Sequence, residues 1–394
     1  MKKRIALVRG HHLSKEETIS YEPLKDEFEF VCFSSNNPWF DHCEIIFPIV
    51  KLPCTERYFR FLPANLGNRA FGFVDNLLGA GQWMFRLQKR LRGFDLVHTS
   101  DYCHFFTYQA LKGKEKLGYK LVAMHYDNIP FARGHKPIGR RLKYELYEKA
   151  DALFAMSERA RQSLILEGVD PEKIFVIGNA VDTEKFRPRP EENLTWRKRY
   201  GLQSDEIVIL FVGRVRASKG VFELVYATKK LVSDPDIDSS KLRVMIVGRG
   251  PSERELAQRI QQLGLGEHIK LLGYVQHSDI HLLHNMADVF TLPSVPRKYW
   301  QEQFGIVLIE SMACGKAIVS TFSGSIPDVV GDCGILVQPN DHYSLYLALK
   351  KLVLDKSLRD CLGLQARERA IQLFAKTEIA KKISVAYTKV LEKK

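Results

Sequence analysis

Two carboxylates, Glu302 and Glu310, stand eight positions apart, with Phe304-Gly305-Ile306-Val307-Leu308-Ile309 between them. Thr291-Leu292-Pro293-Ser294 lies upstream, and Ser311-Met312-Ala313-Cys314-Gly315 follows. Val307, Ile309 and Met312 require a buried partner, and Gly315 suits the left-handed position just past a helix end. The stretch therefore reads as strand, loop, and a short helix starting near Gly305. Glu302 falls in the loop at the helix mouth and Glu310 more than a turn inside. Free N–H groups and the macrodipole make a helix start a site for anions. One acid at the mouth and one within suit a ligand that is both phosphorylated and polyhydroxylated. The plain alternative is a solvated loop charge and a surface helix residue.

A second group of candidate residues follows the strand Ile207–Val212: Gly213-Arg214-Val215-Arg216-Ala217-Ser218-Lys219-Gly220. A strand-to-helix turn holding Gly, Arg, Lys and Gly suits a diphosphate, with cations beside helix N–H groups. Its spacing is not that of a Walker loop. Gly248 and Gly250 close the next strand, where glycine permits close backbone approach. His125 ends a strand of the first half, with Tyr126-Asp127-Asn128 after it, and Asp127 is the candidate to orient it. Asp234-Pro235-Asp236-Ile237-Asp238 has the D-x-D spacing of a metal site. It lies among turn-forming residues between a helix and a strand, and we expect a solvated loop there.

The elements that must position these residues alternate along 394 residues that are 45% hydrophobic. In the first half, strands are expected at 4–8, 28–33, 95–99, 120–125, 152–157 and 173–177. In the second they are expected at 207–212, 243–247, 269–272, 289–292, 317–320 and 334–337. Residues 34–65 read as irregular, Phe71–Leu91 as a helix with a basic flank, 183–204 as a linker, and 343–394 as helical. Alternating strands and helices give an α/β fold of two doubly wound Rossmann-like sheets whose strand ends face a shared cleft. The domains are expected at 1–185 and 204–376, with 377–394 a helix crossing back to the first.

Seven scattered cysteines without a CxxC pair argue against a disulfide framework or a zinc ribbon. No apolar run is long enough for a signal peptide or a membrane span, so the expected location is cytoplasmic. The net charge is +13. Residues 1–190 hold 30 Lys and Arg against 23 Asp and Glu, so they carry +7 and the remainder +6. Spread that evenly, the charge suits phosphate-bearing ligands or an anionic surface. Without a recognised motif it does not point to nucleic acid. The basic 71–92 segment, with Trp83 and Phe85, is the candidate to rest on the inner membrane face.

Six ordered motifs together resemble the retaining GT-B glycosyltransferases of family 4, the group 1 type. They are Gly213-Arg214 with Lys219-Gly220, Val247-Gly248-x-Gly250-Pro251, Leu272-Gly273-Tyr274-Val275, Pro293-Ser294, Glu302 to Gly315, and Pro327-Asp328-Val329-Val330. The first half adds His125, Met156-Ser157-Glu158 and Gly178-Asn179-Ala180-Val181-Asp182. The resemblance implies that Glu302 contacts donor sugar hydroxyls. The amides of Phe304, Gly305 and Ile306 would support the sugar or its phosphate, and Glu310 would hold ribose hydroxyls. Arg214 and Lys219 would neutralise the leaving diphosphate, Val275 would lie against the base, and His125 would face the reacting sugar.

With two cations at the leaving group, no metal and no cofactor are expected. The donor would be a UDP- or GDP-hexose. The acceptor would be a glycan or lipid-linked glycan of cell-envelope polysaccharide synthesis. The first loop, Arg9-Gly10-His11-His12, departs from the family's consecutive glycines, and only Gly10 carries over. Tyr299 and Trp300 before Glu302 are expected to cover apolar surface. An epimerase or hydrolase of nucleotide sugars is the alternative on the same frame.

Overall fold

The computed structural model describes residues 2–55, 81–132 and 137–393, with the side chains of 137 and 138 left aside. The chain forms two compact units, Met1–Ala180 with Lys376–Lys394, and Val181–Ala375.

The first unit is built on seven parallel strands: β1 (Lys3–Gly10), β2 (Phe28–Ser35), β3 (Ile49–Leu52), β4 (Leu96–Thr99), β5 (Lys120–His125), β6 (Ala152–Ala155) and β7 (Ile174–Val176). Their spatial order is β3-β2-β1-β4-β5-β6-β7. Helices on both faces bury the strands, so Ile5, Ala6, Leu7 and Val8 are all fully covered. One of these helices is Lys376–Glu392, whose Ile379, Ile383 and Tyr387 pack with Leu7, Phe28 and Phe154. Tyr387 Oη lies 2.6 Å from His98 Nδ1 on β4.

The second unit holds β8 (Ile207–Val212), β9 (Leu242–Val247), β10 (Ile269–Gly273), β11 (Val289–Leu292), β12 (Ala317–Thr321) and β13 (Gly334–Val337), in the order β10-β9-β8-β11-β12-β13. In both sheets the order reverses beside the first strand, at β1/β4 and at β8/β11. Ligands of open α/β sheets sit at the carboxyl ends of the strands flanking such a reversal.

Three local expectations are corrected. Residues 34–65 contain β3, an edge strand that pairs Cys32–Ser35 of β2 with Ile49–Leu52. The expected Phe71–Leu91 helix falls partly on residues 71–80, outside those described. From Gly81 to Arg86 the chain is not helical, and only Leu87–Arg90 forms a short helical turn. The cause is Gln109, whose side chain accepts from Met84 N at 2.9 Å and donates to Met84 O at 2.8 Å. Met84 N is thereby held outside a helical ladder and Met84 O is shared between Gln109 and Leu87 N, while Gln82 and Arg86 adopt positive φ on either side. A continuous amphipathic helix for a lipid surface is therefore absent from 81–86. Third, the proposed linker carries the Pro190–Arg199 helix. Arg197 anchors it with an ion pair to Asp288 at 2.7 Å and a bond to Glu206 O at 2.7 Å. No helix among the described residues is long and apolar enough to cross a membrane.

Candidate functional site

The loops after β8 and β11 hold most of the candidate residues of the second unit. After β8, a short 3-10 turn at Ala217–Lys219 ends at Gly220 in the left-handed conformation (φ 74°), which starts the Val221–Val232 helix. A Cβ on Gly220 would stand 1.8 Å from the carbonyl oxygen of Pro293, so only glycine lets the two loops touch. That approach brings Lys219 to the acid predicted at the helix mouth. Lys219 Nζ lies 2.7 Å from Glu302 Oε2, and Ser294 Oγ donates to the same oxygen at 2.7 Å. The Lys219 ammonium also sits 5.0 Å from the centre of the Trp300 ring. Glu302 is buried, and Ser325 N donates to its backbone carbonyl at 2.9 Å. We predict that Gly220→Ala destabilises the fold by roughly 2–4 kcal/mol, from backbone strain plus displacement of Pro293. Urea unfolding checks this, and a midpoint equal to the wild type contradicts it.

Glu302 leads into Gly305, at φ 83°, which caps the helix Ile306–Ala313. The first turn of a helix has N–H groups without intrahelical partners. Phe304 is buried edge-on against Phe374, so only its backbone is available to a ligand. Ile306 is exposed and Val307 partly so at the open end of this helix.

Glu310, inside the helix, is 3% exposed. Its Oε1 lies 2.8 Å from His277 Nε2, and its Oε2 lies 3.8 Å from His284 Nε2. Burial by itself would raise the carboxyl pKa. The hydrogen bond from His277, with the adjacent His284, outweighs burial and takes it down to about 2. His284 is fully buried, and burial holds its pKa below the usual range although Glu310 pulls the other way. Glu310 is thus an ionised, covered carboxylate rather than a solvated helix charge.

Arg214 is exposed in the same β8 loop as Lys219, and Val275 is partly covered just after β10. Gly248 and Gly250 serve loop packing. A Cβ on Gly248 would lie 1.9 Å from Gly213 O, and one on Gly250 would lie 2.2 Å from Val215 O. The space beside each is filled by the β8 loop's own backbone.

In the first unit, His125 is buried at the end of β5, with Nδ1 3.3 Å from Tyr147 Oη. Asp127 accepts from Tyr102 Oη at 2.8 Å. Lys143 and Glu167 form a buried ion pair nearby in this network, with the ammonium 5.7 Å from the Tyr147 ring. Gly10 has φ 59°, and a Cβ there would meet Gln82 Oε1 at 2.0 Å.

Pro235, Asp236 and Asp238 of the D-x-D stretch are exposed as expected, whereas Asp234 is buried and tied down. Lys350 Nζ lies 2.8 Å from Asp234 Oδ2 and 2.6 Å from Asp236 Oδ2, and Tyr346 donates to Asp234. An ammonium thus stands between the two carboxylates. Among the described residues no group of three or more His, Cys, Asp or Glu has the arrangement of a metal site.

Sequence reasoning missed Ser294, His277 and His284 as partners of the two acids. His277 and His284 are seven apart on one helix, with Phe186 packed against both rings, and that spacing was the available signal. Trp300, expected to cover apolar surface, also presents its ring to the Lys219 ammonium.

Residues 192–369 match the family model described as glycosyl transferases group 1, and residues 41–185 match that of glycosyltransferase family 4. A relative from Kineococcus radiotolerans, a D-inositol 3-phosphate glycosyltransferase, is 32% identical over 263 residues. The match covers 62% of this chain and 59% of the relative. The N-acetyl-alpha-D-glucosaminyl L-malate synthase of Bacillus anthracis is 27% identical over 291 residues, 72% of this chain and 71% of that one. Among solved structures, Anabaena HepE in complex with UDP superposes with a TM-score of 0.77 at 19% identity, covering 98% of this chain and all of that one.

Proposed function

The chain belongs to the group 1 glycosyl transferases, and from that premise we propose that it moves a hexose from a UDP- or GDP-sugar to the hydroxyl of a glycan or lipid-linked glycan with retention of configuration. The observation that supports this most is the Lys219–Glu302–Ser294 cluster at the mouth of the Ile306–Ala313 helix, at the β8/β11 reversal.

Glycosyl transfer places negative charge on the departing diphosphate. Lys219 and Arg214 supply positive charge from the β8 loop, and the first-turn amides of the helix supply dipoles. These groups require no metal and no cofactor. Glu302, fixed by Lys219 and Ser294, accepts hydrogen bonds from hydroxyls of the transferred sugar and so selects its epimer. Glu310 accepts from the ribose hydroxyls, with Val275 beside the base. His125 is assigned to the reacting sugar. Glu302 Oε2 already accepts two hydrogen bonds, which suits holding hydroxyls better than attacking a carbon. The acceptor hydroxyl then attacks from the face the diphosphate leaves, and the leaving phosphate takes its proton. UDP in the HepE structure agrees with a nucleotide donor for this fold.

The test is incubation with UDP- and GDP-hexoses, alone and with methyl hexopyranosides as acceptors. Transfer gives a nucleoside diphosphate and an α-linked product when the donor sugar is α. Free hexose with equal yield in the absence of acceptor would make the protein a hydrolase. A new sugar epimer without diphosphate release would make it an epimerase.

A further inference from the structure

A buried pair of charges in the first unit has no part in the reaction proposed above. The side chains of Lys143 and Glu167 are 1% and 0% exposed, and Lys143 Nζ lies 2.5 Å from Glu167 Oε2 and 2.8 Å from Oε1. Lys143 and Tyr147 stand one turn apart on the Pro137–Lys149 helix, and Glu167 closes the Glu158–Leu166 helix. Drying two ions offsets most of their attraction, and well-packed apolar residues often serve a fold equally well. Stability alone is thus a weak reason for such a pair, and its neighbours suggest another.

The contacts of the pair lead to the carboxyl end of β5. The Lys143 ammonium lies 5.7 Å from the centre of the Tyr147 ring and 5.1 Å from that of Tyr102. Tyr147 Oη lies 3.3 Å from His125 Nδ1, and Tyr102 Oη donates to Asp127 Oδ2 at 2.8 Å. Glu167 Oε1 accepts from Phe131 N at 3.0 Å. Phe131 is exposed and has φ 60°, a left-handed conformation that is unfavourable for a bulky side chain. Such a backbone persists where its surroundings hold it, and a buried carboxylate bound to its N–H does so.

We infer that the Lys143–Glu167 pair is a positioning device, which acts through Tyr147, Tyr102 and the Phe131 amide to fix the His125 ring and the loop after it for reaction. The word reaction rests on the reading of His125 given above, and the rest on contacts within the first unit. An ammonium attracts the faces of both tyrosine rings and so restricts them together. Burial pushes the Tyr147 pKa up, so its hydroxyl keeps its proton. A hydrogen bond at one imidazole nitrogen sets which of the two carries the ring proton.

The test uses the full chain with isotope-labelled histidine and nitrogen NMR, the His125 signals being identified by their loss in His125→Asn. Two variants are compared with the wild type. Tyr147→Phe deletes one oxygen. Lys143→Met with Glu167→Gln removes both charges, avoids a lone buried ion, and leaves an amide oxygen for Phe131 N. In the wild type the two ring nitrogens of His125 are expected at well-separated shifts, as for one fixed tautomer. In both variants they are expected to move toward each other as two tautomers exchange. The double variant is expected to melt within about 5 °C of the wild type, because both charges leave together. Transfer from whichever UDP- or GDP-hexose the wild type uses is expected to fall at least about tenfold in kcat in both variants, with the donor KM within about twofold. UDP and GDP titrations should be the same in all three proteins. The proposal is overturned if His125 keeps its wild-type shifts in both variants, or if the shifts move while kcat does not. A double variant that melts far below the wild type with His125 unmoved would assign the pair to the fold alone. His125 shifts that move in a chain that binds no nucleotide and transfers no sugar would leave the positioning device standing and reject the transferase reading.

Discussion

Lys219→Ala is expected to lower kcat with the nucleotide-sugar donor by on the order of 10²–10³-fold, the usual cost of removing one preorganised group that meets charge developing in the transition state. The lysine has a structural role too, since its ammonium pairs with a buried carboxylate, and its side chain is 21% exposed against 6% for Glu302. Removing it leaves Glu302 with one fewer compensating partner, and a stability loss of about 1–3 kcal/mol is expected from that alone. The two roles separate in a double variant. Lys219→Ala with Glu302→Gln removes the uncompensated charge, so the melting temperature should recover most of the loss while activity does not. Rates measured well below both melting temperatures decide the matter. A single variant that melts early but turns over like the wild type would assign Lys219 to the fold only.

Glu310→Ala is expected to raise the donor KM by about 100-fold, as the loss of two hydrogen bonds to a charged acceptor predicts. Glu310→Gln should fall between, because an amide oxygen still accepts but carries no charge. The carboxylate also has a pH signature. Its pKa in the fold, about 2, lies below that of an exposed glutamate, because His277 and His284 outweigh the opposing effect of burial. A depressed carboxyl pKa contributes stability that is fully present above the unfolded value of about 4.3 and is lost as pH falls towards the folded value. The wild type should therefore lose on the order of 3 kcal/mol between about pH 5 and pH 2 that Glu310→Gln does not. Melting curves across that range, run side by side, test it. Parallel curves for the two proteins would mean that Glu310 is not held ionised by the histidines.

The strands were legible because parallel strands covered on both faces are continuous apolar runs, as in Ile207–Val212 and Ala317–Thr321. The edge strand β3 escaped notice because four residues between Pro48 and Pro53, one of them an exposed lysine, leave no such run. The 81–86 segment was misjudged for a different reason. Its apolar residues fit a helix, and the Gln109 side chain that diverts Met84 lies 25 residues away. The Pro190–Arg199 helix was hidden by charge and proline, since its cohesion comes from Arg197 reaching Asp288.

In the candidate site, Glu302, Lys219 and Glu310 stood out because their types and order in the chain are informative, and the structure brings Lys219 to Glu302. Their partners did not, because His277 meets Glu310 across 33 positions and Ser294 acquires meaning only when the β8 and β11 loops touch at Gly220. Gly248 and Gly250 show the converse. Glycine beside a candidate phosphate loop suggested a ligand, and the neighbouring backbone accounts for both.

The most direct test of the account is a calorimetric titration of UDP and of GDP into the wild type, Lys219→Ala and Glu310→Ala. One of the two nucleotides is expected to bind the wild type with a micromolar Kd, about −8 kcal/mol, and each substitution is expected to weaken it at least about tenfold, or roughly 1.4 kcal/mol. Absence of binding by either nucleotide, or equal affinity in all three proteins, would contradict the assignment of this site to a nucleoside diphosphate sugar.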